Sequence, residues 1–195
     1  MMGLGSVRMW ARKKITSLAV VVLTVLLFAP TAFGFSITFF DATRQGSEVR
    51  ITMAADLALT EDVIEALQSN IDIAIRVQVK IYRIRENFWD VLVADTNIDY
   101  TLSTSRIYRG YSVRSSDRNL DRVYHSLGAA LNAVGSERTY KIVIPENQSD
   151  ESDTQYRGKC RIFLDRSKLP SLVSTTVYFN DSWKRTSGWT EFELQ

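Results

Sequence analysis

The chain has 195 residues, of which 24 are Lys or Arg and 22 are Asp or Glu. Four of the cations lie in the first 34 residues, which contain no acid, so the rest of the chain carries 20 cations against 22 acids. This balance excludes the strongly basic surface needed for bulk electrostatic binding of nucleic acid, and the length fits one ordinary domain after a short extension.

Residues 1–34 have the three-part organisation of a secretory signal peptide: a basic region, an apolar run at residues 15–28, and small residues before a cleavage point after Gly34. Because residues 15–33 are also long enough to cross a bilayer, an uncleaved anchor is the alternative. In both cases the positive end stays in the cytoplasm. We therefore predict that residues 35–195 form a single β-rich domain that is periplasmic or exported, and anchored in the inner membrane if the leader is retained.

The mature chain begins with alternating segments at residues 35–41 and 49–59, which indicate a β-hairpin. A short helix follows, capped by Thr60 and ended by Asn70. Residues 71–84 then hold apolar side chains at six alternate positions, which predicts a central strand with one buried face. The alternation breaks near Tyr82 and Arg83, where we expect a β-bulge or a sharp bend that returns Ile84 to the core.

The remaining elements are predicted from the same periodicities. Apolar residues at helical spacing indicate a second helix over residues 120–134, ended by Gly135. Residues 146–154 are expected to form an acidic loop, and residues 91–104 contain an alternating set that runs from Leu92 to Leu102. Strands are predicted at residues 91–104, 107–114, 138–144, 156–164, 174–179 and 189–194.

Antiparallel strands with one polar face need a second layer to cover the apolar face. The sequence therefore predicts a mainly β fold, an antiparallel two-sheet sandwich or flattened barrel with two short amphipathic helices. A small outer-membrane barrel is the alternative, and the helices and the acidic loop at residues 146–154 argue against it.

Residues that commonly carry catalysis are scarce, since the chain has one His and one Cys. His125 falls on the polar face of the predicted second helix, and Cys160 is expected to be a small buried hydrophobe. Zinc-ligand spacing, a nucleophile elbow and a glycine-rich phosphate loop are all missing from the sequence. Asp95 and Asp99 lie about 13 Å apart along one strand, too far for a catalytic pair. We therefore predict no enzymatic activity, no metal and no cofactor.

Aromatic and cationic side chains instead favour a binding role, because Trp, Tyr and Arg dominate interface hot spots. Trp89 and Asp90 are expected in the turn after the central strand, and the tyrosines and arginines are expected on a following strand. In the alternative interpretation, Trp89 closes the end of the sandwich and the tyrosines cover its flank. The candidate partner-binding residues are Trp89, Asp90, Tyr108, Arg109, Tyr111 and Arg114.

Several segments together resemble a bacterial envelope family known as a domain of unknown function, number forty-three ninety. They are LTEDVIEALQSN before the central strand, Phe88-Trp89-Asp90 after it, YTLSTSRIYRGYSV, FLDRSKLP, and the closing Trp183 and Trp189. The resemblance runs from about residue 51 to residue 192. It implies an exported proteobacterial protein whose genes often neighbour a membrane sensor kinase, and it carries over no catalytic residues.

These observations predict a non-enzymatic periplasmic binding or accessory module linked to envelope sensing. Its expected partner is an envelope protein, with a membrane sensor kinase as one candidate, and nucleic acid is not expected. Membrane contact is expected only through the N-terminal segment if it is retained. Two alternatives remain open: a carboxylate-based hydrolase, and a carrier of a small apolar ligand between the sheets.

Overall fold

The computed structural model describes residues 34–105, 107, 109–145, 155–169 and 180–194. Two helices, α1 (Glu61–Gln68) and α2 (Leu127–Gly135), accompany two short 3-10 turns at Arg166–Lys168 and Asp181–Trp183. The strands are β1 (Ser36–Gln45), β2 (Glu48–Asp56), β3 (Ile73–Arg83), β4 (Val91–Ser105), β5 (Gly110–Ser115), β6 (Asp121–Tyr124), β7 (Arg138–Val143), β8 (Tyr156–Leu164) and β9 (Thr190–Leu194).

The strands form two antiparallel sheets, in the orders β1-β2-β7 and β6-β5-β4-β3-β8-β9. The prediction of a central strand is confirmed, because β3 pairs with β4 on one side and with β8 on the other. Alternate side chains from Ile73 to Ile81 are at most 1% exposed and meet the inner face of β2, which includes Ile51. The fold is therefore a two-sheet sandwich with its core between the sheets.

The first helix begins and ends where the sequence predicts. Thr60 is the N-cap residue of α1, but its hydroxyl donates to the carbonyl oxygen of Ser182 at 3.0 Å instead of capping the helix. Asn70 ends the segment in the left-handed region, with φ of 64°. Asn tolerates this conformation better than most residues. Helix α1 is thereby connected at its start to the segment that precedes β9.

The predicted bulge is present, but it lies in β4. Ile81 pairs with Ala94 and Tyr82 pairs with Leu92, so Val93 is the extra residue. Val93 is 7% exposed and Leu92 is 43% exposed, so the bulge separates Leu92 from the buried members of the alternating set that runs from Leu92 to Leu102. The register between β3 and β8 continues without a shift, and Ile84 therefore stays half-buried outside the core instead of returning to it.

The prediction of one helix over residues 120–134 is wrong in its first half. Asp121–Tyr124 is strand β6, which pairs with β5, and α2 begins only at Leu127. Ser126 caps α2 by accepting a hydrogen bond from the amide of Ala129 at 3.2 Å. The free edge of β5 offers backbone hydrogen bonds that the periodicity of an isolated segment cannot reveal.

Within the described part of the chain, none of the helices has the length and apolar character needed to cross a membrane. The predictions for the leader up to residue 33, the acidic loop at residues 146–154 and the strand at residues 174–179 lie outside the described residues.

Candidate functional site

The polar face of the six-stranded sheet, here called the outer face, carries its charges in columns that follow the strands. Strands β3 and β8 present cations, and the strands that flank this pair, β4 and β9, present acids. The cations are Arg76 and Lys80 on β3 and Arg157, Lys159 and Arg161 on β8, and the acids are Asp95 and Asp99 on β4 and Glu191 and Glu193 on β9.

Acids engage both cations of β3 closely. Arg76 donates two hydrogen bonds to Asp99, at 2.5 and 2.9 Å, and its Nη2 lies 2.9 Å from Oδ2 of the buried Asp165. Lys80 lies 3.4 Å from Asp95. The hydrogen bond from Arg76 lowers the pKa of the Asp99 carboxyl group from its usual value. These acids therefore stabilise the sheet as ion-pair partners of Arg76 and Lys80.

Aromatic rings flank two of the three cations of β8, Lys159 and Arg161. The Lys159 ammonium lies 5.1 Å from the ring centroid of Tyr82 and 5.0 Å from that of Trp189. The Arg161 guanidinium lies 4.3 Å from the rings of both Trp189 and Phe163. We call this series of five side chains the cation–aromatic ladder. Contacts of this type hold a cation in place through the negative faces of the rings.

A cleft of about 480 Å³ lies beside the ladder, between the β3–β4 turn and strands β8 and β9. Trp89 and Phe88 are 92% and 74% exposed at its rim, so the alternative in which Trp89 closes the sandwich is wrong. Asp90 lies 3.9 Å from Arg157 across the cleft. The lining residues of this cleft, here called the turn cleft, are Tyr82, Phe88, Trp89, Asp90, Arg157, Gly158, Lys159 and Glu191.

The other candidate residues that the structure describes, Arg109, Tyr111 and Arg114, do not line the turn cleft. Tyr111 pairs with Thr104 near the end of β4, whereas Trp89 precedes its first residue, and this separates them by roughly 40 Å along the strand. Tyr111 is half-buried against the core, and Arg109 is exposed with φ of 48°. The structure thus places Trp89 and Asp90 at one end of the sheet and Arg109 and Tyr111 at the other.

Arg114 and Tyr108 complete the candidate set. Arg114 lies 3.4 Å from Asp121 and lines a second cavity of about 360 Å³, in which Lys168 lies 3.9 Å from Asp99. Tyr108 lies outside the described residues. In the second cavity, Arg114, Asp99 and Lys168 therefore already have ion-pair partners within the protein.

A family model described as Domain of unknown function (DUF4390) matches residues 32–193. The chain belongs to the DUF4390 family. This confirms the resemblance found in the sequence motifs. Searches of curated proteins and of solved structures gave no match.

The reactive side chains of this DUF4390 domain lie away from the turn cleft. Cys160 is fully buried on β8, and burial raises the pKa of its thiol to about 12. His125 is exposed between β6 and α2. In the ranges that the structure describes, no group of three or more His, Cys, Asp and Glu side chains could hold a metal ion. The side chains that line the turn cleft are mainly aromatic and charged.

The sequence indicated Trp89 and Asp90 as candidate residues, but it did not indicate the lining residues of the turn cleft on β8 and β9. The alternation of Arg157, Lys159 and Arg161 on a predicted strand was a visible signal. Without the pairing of β3 with β8, nothing indicated that these cations lie beside the turn that carries Trp89.

Proposed function

We propose that this DUF4390 domain is an exported, non-enzymatic binding module that presents the turn cleft to another envelope protein. The observation that carries the proposal is the exposure of two adjacent aromatic side chains, Phe88 and Trp89, at the rim of a charged cleft. An aromatic side chain can bury roughly 150–250 Å², which corresponds to about 4–6 kcal/mol of apolar transfer free energy. Because both side chains remain exposed after folding, this free energy is gained only when a partner buries them.

The composition of the turn cleft also favours a protein partner. Tyr, Trp and Arg are enriched in interface hot spots, and Tyr82, Trp89 and Arg157 all line this cleft. The family resemblance favours a membrane sensor kinase as the partner, in line with an accessory role in envelope sensing. In this proposal the β-sandwich serves as a rigid support for the β3–β4 turn.

A carboxylate-based hydrolase is the second candidate, because Asp90 and Glu191 both line the turn cleft. Glycosidic hydrolysis by two carboxyl groups requires one of them in an environment that keeps it protonated, usually an apolar pocket. Asp90 instead lies beside Arg157, and Glu191 is exposed on β9. A binding role accounts for this arrangement more directly.

The proposal can be tested by photocrosslinking in living cells. A photoreactive phenylalanine analogue replaces Phe88, and crosslinked proteins are identified by mass spectrometry with and without the substitution Trp89→Ala. Truncation of a hot spot costs about 2 kcal/mol or more of binding free energy. We therefore expect Trp89→Ala to reduce recovery of the partner severalfold while the thermal unfolding midpoint stays unchanged.

Ile107→Ala provides the matched control. Ile107 is 88% exposed and lies near the other end of β4, so its truncation removes a similarly exposed apolar side chain away from the turn cleft. Recovery should be unaffected by this change. Undiminished recovery with Trp89→Ala would refute the turn cleft as the binding surface, and a cytoplasmic location after cell fractionation would refute export.

A further inference from the structure

The cations of β8 differ from those of β3 in how their charges are compensated. Arg157, Lys159 and Arg161 occupy alternate positions of β8, and their side chains all reach the outer face. Among the described residues, the only carboxylate oxygen within 4.0 Å of any of them belongs to Asp90, at 3.9 Å from Arg157. Arg76 on the neighbouring strand has two such partners at 2.9 Å or less. A row of three cations thus faces solvent with little direct compensation.

Two of these cations are also held in position. The rings of Tyr82 and Trp189 flank the Lys159 ammonium without using its three N–H donors. Arg161 is held between two rings and donates two hydrogen bonds to the neutral side chain of Gln78, at 2.8 and 3.1 Å. Ligand binding to these pre-ordered side chains therefore costs less side-chain entropy than binding to free lysines and arginines, which would have to be ordered first.

The surrounding charges select against a non-specific polyanion. Glu193 and Glu191 are paired in register with Arg157 and Lys159, although neither comes within 4.0 Å of its neighbour. Lys80 is adjacent to Lys159 and is already engaged by Asp95. The acids beside the three β8 cations weaken the positive electrostatic potential at long range. Binding of a nucleic acid or an anionic membrane would require a strong potential of this kind. Recognition must therefore depend on short contacts with matched spacing.

The spacing matches an extended peptide. Alternate residues of a strand are about 6.6 Å apart, and the same repeat separates alternate side chains of an extended ligand. We propose that the partner contributes an extended segment with carboxylates at every second position, which lies over β8 and faces Arg157, Lys159 and Arg161. This inference rests on the proposed function, since Arg157 and Lys159 also line the turn cleft. The same segment would reach Trp89 at one end.

The experiment uses fluorescein-labelled synthetic peptides of nine residues and the purified protein, with fluorescence anisotropy as the measurement. One peptide has glutamates at every second position, and a second has the same composition with its glutamates contiguous. The alternating peptide should bind more tightly, and its affinity should fall as salt is added. The double substitution Arg157→Gln/Lys159→Gln should weaken this binding about tenfold.

Arg50→Gln/Lys141→Gln is the matched control. It removes two cations that are paired in register on the other sheet, and the affinity for the alternating peptide should change less than about twofold. Equal affinity for both peptides, or an equal loss in both double variants, would overturn the inference.

Vesicles of phosphatidylglycerol form a further arm of the test. If they bind through Arg157 and Lys159 while the alternating peptide does not, the ligand is a lipid surface and the peptide inference is wrong. If crosslinking through Phe88 persists in Arg157→Gln/Lys159→Gln and no peptide binds, the inference fails while the proposed function stands. If Trp89→Ala leaves crosslinking unchanged, the proposed function itself fails.

Discussion

Two glycines of α2 should respond in opposite directions to the same substitution by alanine. A Cβ atom at Gly135 would lie 2.1 Å from the carbonyl oxygen of Ala55, because the end of α2 packs directly on the backbone of β2. A Cβ atom at Gly128, in the first turn of the same helix, would have nothing within 4 Å. The local environment therefore decides the sign of the effect.

The magnitudes follow from these two environments. Alanine is favoured over glycine by up to about 1 kcal/mol in a helix, so Gly128→Ala should raise the free energy of unfolding by about 0.5–1 kcal/mol. Gly135→Ala gains little at the last helical position, and it must push α2 away from a main-chain atom. Overpacking of this kind costs about 1–3 kcal/mol. The two variants should therefore differ by about 1.5–4 kcal/mol.

Urea unfolding followed by tryptophan fluorescence measures this difference. The midpoint should rise for Gly128→Ala and fall for Gly135→Ala, with an unchanged dependence on urea concentration. Stabilisation by both substitutions, or a difference below about 0.5 kcal/mol, would refute the close contact between α2 and β2.

Two further predictions concern polar contacts. Asp99→Asn should lower the free energy of unfolding by about 1–2 kcal/mol at pH 7. The pKa of Asp99 is lowered in the folded protein, mainly by the hydrogen bond from Arg76. In urea titrations, the difference in unfolding free energy between the wild type and Asp99→Asn should therefore shrink as the pH falls below about 3.9. A difference that does not depend on pH would contradict the ion pair. The hydroxyls of Tyr100 and Tyr140 join the two sheets at 2.9 Å, so Tyr140→Phe should cost about 1–2 kcal/mol by leaving a buried hydroxyl unpaired. The double Phe variant should cost less than the sum of the two single ones in the same assay, and strict additivity would exclude this contact.

The sequence predicted the location of Trp89 and Asp90 in a turn, because a polar interruption follows a long alternating strand. It could not predict what lies opposite them. Tyr82, Lys159 and Trp189 are far apart in the chain and come together only through the pairing of β3 with β8 and the return of the chain before β9. The cation–aromatic ladder is therefore a product of topology.

The centre of the fold follows from local periodicity alone. Six β-branched side chains at strict alternate positions in residues 71–81 can bury one face only as a strand, and β3 occupies the middle of its sheet. Segments with weaker local preferences took their secondary structure and register from the segments that they pair with in the folded chain. Asp121–Tyr124 is a strand because β5 offers it an edge, and Val93 replaces Leu92 in the core because the extra residue of the bulge lies in β4. The length of β4 separates Trp89 from Tyr111. Local periodicity is a property of a segment, whereas strand edges, register and distance depend on which segments become neighbours.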